Sequence, residues 1–346
     1  MSYPSQIKAV GIHKTGDFDV IEDLALPFPE NAPGNVLVKI HYGGVNFIDT
    51  YFRKGLYKID KFPYVLGTEG AGTIAALPSD SSLVNDEEFK KRGFKVGGAV
   101  AAYIRGPNGA FTEFVSLPWN QVFPVPDSVP LRTAAGVFVQ GLTALTFITE
   151  AYNVQKGDYI LVHTIAGGLG LQFAQLLKER GAIVIGTTST KEKAVLAKSY
   201  GADHVILYKD ENVVERVLEI TKGEGVHAVF DGVGKDTFED NFKLLRRKGT
   251  LVSVGNASGA VPPVAPLKLV EKNLKLLRPT MGNYVYTPEE ARLYTSELFR
   301  FVSEGKLKVQ IHGEYPLTAE GVRQAQKDLT SGQTVGKLLI KIADSE

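Results

Sequence analysis

Apolar residues along the chain fall into two textures, and the change comes near Leu131. Before it, the apolar runs are short and β-branched, as in Val36 to Ile40 and Gly70 to Ala76, with Gly and Pro between them. Runs of that length between turn signals predict an irregular β-rich domain over residues 1–130. The polar stretch PSDSSLVNDEEFKKR, Pro78 to Arg92, predicts a solvated surface excursion.

Beyond Leu131, apolar strands alternate with helical patterns. The strand segments are Tyr159 to His163, Ile183 to Thr187, His204 to Tyr208, Ala228 to Phe230, Thr250 to Val254 and Leu274 to Leu277. Between the first two, Leu169, Phe173, Leu176 and Leu177 recur at helical spacing, and Gly181 is placed to end that helix. Lys191 to Tyr200 repeats the arrangement and closes on Gly201. Repeated βα units require a parallel sheet with right-handed crossovers, so residues 131–279 predict a doubly wound α/β fold. The segment YTPEEARLYTSELFRFVSEGKL then reads as one helix followed by strands ending in LLIKI, and 280–346 is expected to return to the first domain.

The turn HTIAGGLGLQF follows the first of these strands and opens its helix. Free N–H groups and the helix dipole favour a pyrophosphate at such a place. Against G-x-G-x-x-G, Gly167 and Gly170 match, Ile165 occupies the first glycine position, and Gly168 adds another residue without a side chain. An Asp or Glu at the end of the second strand would hold the ribose 2′-hydroxyl of NAD. That position instead carries Thr187, Thr188, Ser189 and Thr190, followed by Lys191 and Lys193. Hydroxyls and a cation accept the 2′-phosphate that a carboxylate would repel. Ser189 and Lys193 are therefore assigned to it, and Tyr208 to the flank of the adenosine, which makes NADPH the expected cofactor.

Composition narrows the chemistry. Among 346 residues, 39 basic and 38 acidic side chains leave a formal charge of +1, which gives nucleic acid or an anionic membrane no global attraction. There is no cysteine, which removes disulfides, thiolate catalysis and any Cys-containing zinc site. The N-terminal stretch MSYPSQIKAVGIHKTGDFDV has no apolar signal core, so a soluble, cytoplasmic protein is expected, with the nucleus as a second compartment.

Seven segments carry a resemblance to a known family: GGVNFIDTYFRKGLY, PYVLGTEGAGTI, QGLTALTF, AGGLGLQFAQLLK, FDGVGKDTF, SVGNASGAVPP and TVGKLLI. From end to end the chain resembles the zinc-free quinone oxidoreductases of the medium-chain dehydrogenase/reductase superfamily, the zeta-crystallin group, and in detail their fungal and bacterial members. The resemblance implies a Rossmann domain beside a GroES-like catalytic domain, a homodimer joined through Leu274 to Leu277, and NADPH:quinone reduction at a cleft between domains. Zinc alcohol dehydrogenases of the superfamily carry a His where Thr68 precedes Glu69, and a Cys near the place of Asn46, so no metal is expected. Two alternatives stay open: reduction of activated alkenes such as alkenals and enones, and AU-rich RNA binding, which some relatives show.

The same resemblance implies site residues. Asn46 matches a cofactor-contacting Asn, Tyr51 and Tyr57 match aromatics at the active-site mouth, and Ile48 supplies apolar wall. Arg53 resembles a position beside the cofactor phosphates and is not counted among the site residues. In the second domain, Thr143 is expected under the pyrophosphate with Gly167, Gly168, Leu169 and Gly170. Val254, Gly255 and Asn256 are expected at the nicotinamide crevice, with Arg278 nearby.

Overall fold

The computed structural model describes residues 3–104 and 106–343. The chain forms two compact units, one of Met1–Val139, Thr287–Ser303 and Val309–Glu346, the other of Gln140–Tyr286 and Glu304–Lys308.

The first unit contains β1 (Gln6–Ile12), β2 (Glu22–Pro27), β3 (Asn35–Val45), β4 (Tyr64–Val65), β5 (Glu69–Ala76), β6 (Ala99–Tyr103), β7 (Phe114–Pro118) and β8 (Val122–Pro124). Two strands join late in the chain, β15 (Ile311–Pro316) and β16 (Lys337–Lys341). A three-stranded sheet runs β2-β1-β4, and a seven-stranded one runs β15-β16-β3-β5-β6-β8, with β7 also paired to β3. Alternation along β3 and β5 buries Val36, Val38, Ile40 and Ile74 against Val100 and Val115. Helix α1 (Phe47–Lys54) leaves the end of β3 and stops at Gly55, whose φ of 78° suits a residue without a Cβ. The polar excursion forms a short 3₁₀ turn and α2 (Glu87–Arg92), and most of it is exposed as expected. Arg92 departs from that reading: it is buried, with its guanidinium 4.4 Å from the Phe123 ring centre, an anchor that charge composition alone hides.

The second unit holds β9 (Tyr159–Val162), β10 (Ile183–Thr188), β11 (His204–Leu207), β12 (Val226–Asp231), β13 (Leu245–Ser253) and β14 (Lys275–Leu277). All pair in parallel in the order β11-β10-β9-β12-β13-β14. This is the doubly wound dinucleotide order, which reverses between β9 and β12. Its helices are α4 (Gly168–Glu179), α5 (Lys191–Ser199), α6 (Val213–Ile220), α7 (Phe238–Leu244) and α8 (Met281–Tyr284). All six expected strands form, although His163, Tyr208 and Val254 lie one residue beyond the strands they were expected to end. Leu161, Ile185, Ile206, Val229 and Leu251, one from each of five strands, build a common core.

Helix α3 (Leu131–Thr146) contains the division between the units and continues into one π turn, Phe147–Ala151. By length and composition Leu131–Ala151 passes for a membrane span, but 67% of its most apolar window is buried, as in the core helix of a globular protein. Two further helices, α9 (Pro288–Ser303) and α10 (Ala319–Thr330), complete the first unit; the second of these was not expected from the sequence.

Candidate functional site

In the second unit, the strand-to-helix turn after β9 is built around glycine. Thr164 takes a left-handed backbone, φ 54°, and Gly167 caps α4. The first helical bond runs from Leu171 N to Gly167 O at 2.9 Å, so the N–H groups of Gly168, Leu169 and Gly170 precede any acceptor within the helix. A Cβ on Gly170 would lie 2.5 Å from Thr164 O, a backbone atom, so this glycine is required for the close approach of helix to strand. A Cβ on Gly168 would meet the Gln140 amide at 2.5 Å. Thr143 lies one turn beyond Gln140 on α3, and one turn along a helix keeps two residues on one face. Its own helix begins at Leu131, so Thr143 lies well inside α3 and brings no helix N-terminus of its own.

A buried polar chain ties the carboxyl ends of three strands together. Asn241 Nδ2 donates to Asp231 Oδ2 at 2.8 Å, so Asn241 Oδ1 must accept from His163 Nε2, also at 2.8 Å. The other ring nitrogen, Nδ1, then accepts from the Thr187 hydroxyl at 3.0 Å, and Thr187 Oγ1 accepts from Thr164 N at 3.3 Å. Asp231 Oδ1 accepts from Val233 N and Gly234 N at 2.8 and 3.2 Å. No local sequence pattern marks this chain, because its members come from the residue after β9 and from β10, β12 and α7.

At the end of β10, Ser189 is half-buried and Thr190 caps α5, its hydroxyl accepting from Lys193 N at 3.3 Å. Burial, and after it the Lys209 ammonium, pull the Lys193 pKa below the ordinary lysine value. Two mutually repelling cations at the place of the missing carboxylate make a donor set that fits a phosphate. Sequence reasoning missed Lys209, and it also passed over Glu192. That acid turns back to its own N–H and to Thr190, which hold its carboxyl below the usual range. Tyr208 is exposed, and its N–H donates to Thr188 O at 3.1 Å.

Beyond β13, Val254 N and Gly255 N donate to Asp231 O at 2.7 and 3.1 Å. Arg278 donates from NH1 to Ser253 O at 2.9 Å. The Asn256 amide, in the orientation that satisfies both its ends, accepts from Arg278 NH2 at 3.2 Å and donates to Gly255 O at 3.0 Å. The four residues therefore meet, with Arg278 fastening the strand end.

In the first unit, strand register gathers a second group. Gly44 pairs with Glu69, and Val45 pairs with Leu338, the residue after Lys337. A Cβ on Gly44 would lie 2.5 Å from Glu69 Oε1, so the glycine makes room for the carboxylate. Asn46 Nδ2 donates to Glu69 Oε1 at 2.7 Å, and Lys337 Nζ donates to Asn46 Oδ1 at 2.8 Å and to Glu69 Oε1. Val139 N donates to Glu69 Oε2 at 2.7 Å. Lys337 and Glu69 are 1% and 0% exposed, so the ion pair is dry. Asp49, at the start of α1, accepts from Asn46 N at 2.8 Å, and burial pushes its carboxyl up to about 7 from 3.8. Glu69 pushes it further, while the Asn46 N–H and Lys337 oppose the rise.

Tyr51 and Tyr57 come together edge to face, with ring centres 5.5 Å apart, and both are half-buried, as is Ile48 on the same helix. Arg53 does not sit where its family position suggests. It is wholly buried, donating to Gln326 Oε1 at 2.7 Å and Gly16 O at 2.8 Å and stacking over Phe18, so it is a core arginine.

A zinc ion of the superfamily's kind does not fit these residues. The chain has no thiol, Asn46 and Thr68 are neutral, and the Lys337 ammonium already occupies the acceptors that a cation would need. Among the described residues, no three His, Asp or Glu side chains are grouped to hold a metal.

A doubly wound sheet with a glycine turn in one unit, and a β-rich fold with a buried polar cluster in the other, define the class of two-domain dinucleotide-dependent oxidoreductases. Residues 32–127 match the alcohol dehydrogenase GroES-like domain, and 168–299 the zinc-binding dehydrogenase family. A quinone oxidoreductase of Pseudomonas aeruginosa is 39% identical over 312 residues, 90% of this chain and 92% of that one. A crystal structure of Escherichia coli quinone oxidoreductase complexed with NADPH is 34% identical, with a TM-score of 0.90 over 96% of this chain and 99% of that one. The 2-haloacrylate reductase of a Burkholderia species is 32% identical over 343 residues, 96% of this chain and 98% of that one. The chain belongs to the quinone oxidoreductases of the medium-chain dehydrogenase/reductase superfamily.

Proposed function

We propose that the protein is a zinc-free NADPH:quinone oxidoreductase. The observation that carries this reading is the combination of two cations, Lys193 and Lys209, after β10 with the open N-terminus of α4 after β9, donor sets for a 2′-phosphate and a pyrophosphate. The E. coli relative that binds NADPH supports the same cofactor.

NADPH, when bound, supplies a hydride. The N–H groups of Gly168, Leu169 and Gly170 and the Thr143 hydroxyl hold its pyrophosphate, Ser189 and Lys193 its 2′-phosphate, and Tyr208 flanks the adenosine. Val254, Gly255 and Asn256, fastened by Arg278, and Asn46 from the first unit are its partners at the nicotinamide half. The Tyr51–Tyr57 pair and Ile48 present two rings and an apolar side chain to a flat acceptor. A quinone asks for little beyond this, since its reduced oxygens are phenol-like, with pKa near ~10, and take protons from water. No Lewis acid is needed, and the Lys337 ammonium leaves no place for one.

The Burkholderia relative, named for a conjugated alkene, favours a second reading, reduction of activated alkenes. There the acceptor carbon must receive a proton, so a tyrosine hydroxyl becomes necessary. Turnover with a 1,4-quinone and an alkenal, in the parent and in Tyr51→Phe and Tyr57→Phe, separates the two. Under the quinone reading the parent reduces the quinone and either substitution lowers its rate by no more than about tenfold. A loss of roughly 10²- to 10⁴-fold with alkenals marks a general acid. A parent that reduces alkenals and ignores quinones makes the second reading the correct one.

A further inference from the structure

We propose that Lys337 is a positioning residue that sets the orientation of the Asn46 carboxamide, and through it the affinity and alignment of the cofactor. The inference rests on the reading that Asn46 meets NADPH. A carboxamide is nearly symmetric in shape, so only its hydrogen-bond partners decide which end carries the oxygen. Here the decision is made from both sides. The Lys337 ammonium has donors only, so the atom 2.8 Å from it must be Asn46 Oδ1. The Glu69 carboxylate has acceptors only, so the atom 2.7 Å from its Oε1 must be Asn46 Nδ2. The ammonium also contacts that same carboxylate oxygen, and Val139 N holds the other at 2.7 Å, so Glu69 is fixed at both ends.

All three side chains are buried, with Asn46 the most exposed at 7%. The amide oxygen retains one lone pair beyond the bond to Lys337, while the second hydrogen of the amide nitrogen faces Gly44 O at 3.3 Å and Thr68 Oγ1 at 3.4 Å. What Asn46 offers a ligand is the oxygen's remaining lone pair, and its direction follows from the ion pair. Removing the ammonium frees the amide to rotate and leaves Glu69 as a buried charge without its cation. These two effects must be told apart.

A double-mutant cycle separates them. NADPH affinity is measured by fluorescence titration in the parent, Asn46→Ala, Lys337→Met and the double variant, with kcat and KM for NADPH and a urea midpoint for each. We expect each single change to weaken NADPH by about tenfold, and the double variant to be no weaker than Asn46→Ala alone, because one effect runs through the other. Loss of stability is expected in both variants that lack Lys337, whatever their affinity, since it reports the uncompensated Glu69.

Full additivity, near a hundredfold in the double variant, would overturn the proposal. So would a Lys337→Met protein that is less stable but binds NADPH as the parent does. If Asn46→Ala alone leaves affinity and kcat unchanged, the reading of Asn46 itself fails, and the proposal with it. Lys337→Arg keeps the charge and shifts the donors, so it is run through the same cycle. It is expected to keep the parent's stability with a few-fold weaker affinity that vanishes in the Asn46→Ala background, and it decides the matter if the methionine variant does not fold.

Discussion

Asp49 is an acid whose burial makes it hold a proton up to about pH 7, whereas in an unfolded chain it releases that proton near 3.8. Between those values the native state binds more protons than the unfolded state, so stability falls as pH rises. The contribution is fully present below pH 3.8 and lost by about 7. In Asp49→Asn, whose amide oxygen keeps the acceptor for Asn46 N, that dependence should vanish. Urea unfolding at several pH values should show the variant gaining on the parent from pH 4 to 7, by at most ~1.4 kcal/mol per unit. Parallel curves would refute the assignment. Lys193 offers a second test at this scale. Lys193→Ala should weaken NADPH by about 1.5–3 kcal/mol and leave NADH nearly unchanged. Equal affinity of the parent for both cofactors, read by titration, would remove the 2′-phosphate role.

The turn between β9 and α4 makes a prediction that two of its glycines separate. At Gly170 an added Cβ meets the backbone of Thr164 and Ile165, which cannot step aside without moving the turn. At Gly168 it meets the end of a flexible Gln140 side chain. Gly170→Ala should therefore cost about 1–3 kcal/mol and loosen NADPH, while Gly168→Ala should cost less, as thermal unfolding and titration would show. The same contrast explains what could be read in advance. The six parallel strands and α4 announce themselves through local periodicity and turn residues, which need no knowledge of distant partners. The polar cluster of the first unit does not, since Asn46 and Lys337 stand 291 residues apart and only the register of β16 on β3 joins them. The lysine sits in a segment, TVGKLLI, whose apolar run reads as a plain strand. The chain from His163 to Asp231 was hidden for the same reason, and Arg53 and Arg92 because a buried arginine looks like any other in sequence.

The whole molecule is expected to be a homodimer. Strand β14 is the outer member of the parallel sheet, with Leu276 and Leu277 half-buried, and an apolar edge is an aggregation hazard unless a second copy covers it. Sedimentation at micromolar concentration should give twice the mass of the chain; a monomer would rule the pairing out. A different consequence follows from the sheet order β15-β16-β3 in the first unit. The ribosome delivers β3 early and β16 long after it. Until residues 337–341 emerge, the Tyr42–Val45 end of β3 has a bare side, and Glu69 waits for its cation. The second unit, 304–308 included, is by then already synthesised. The enzyme is thus made with one half ready to fold while the other is still missing a strand. Its nascent form should lean on chaperones that shield unpaired β-edges, and a chain that stops before Lys337 should be degraded rather than accumulate as a weakened enzyme.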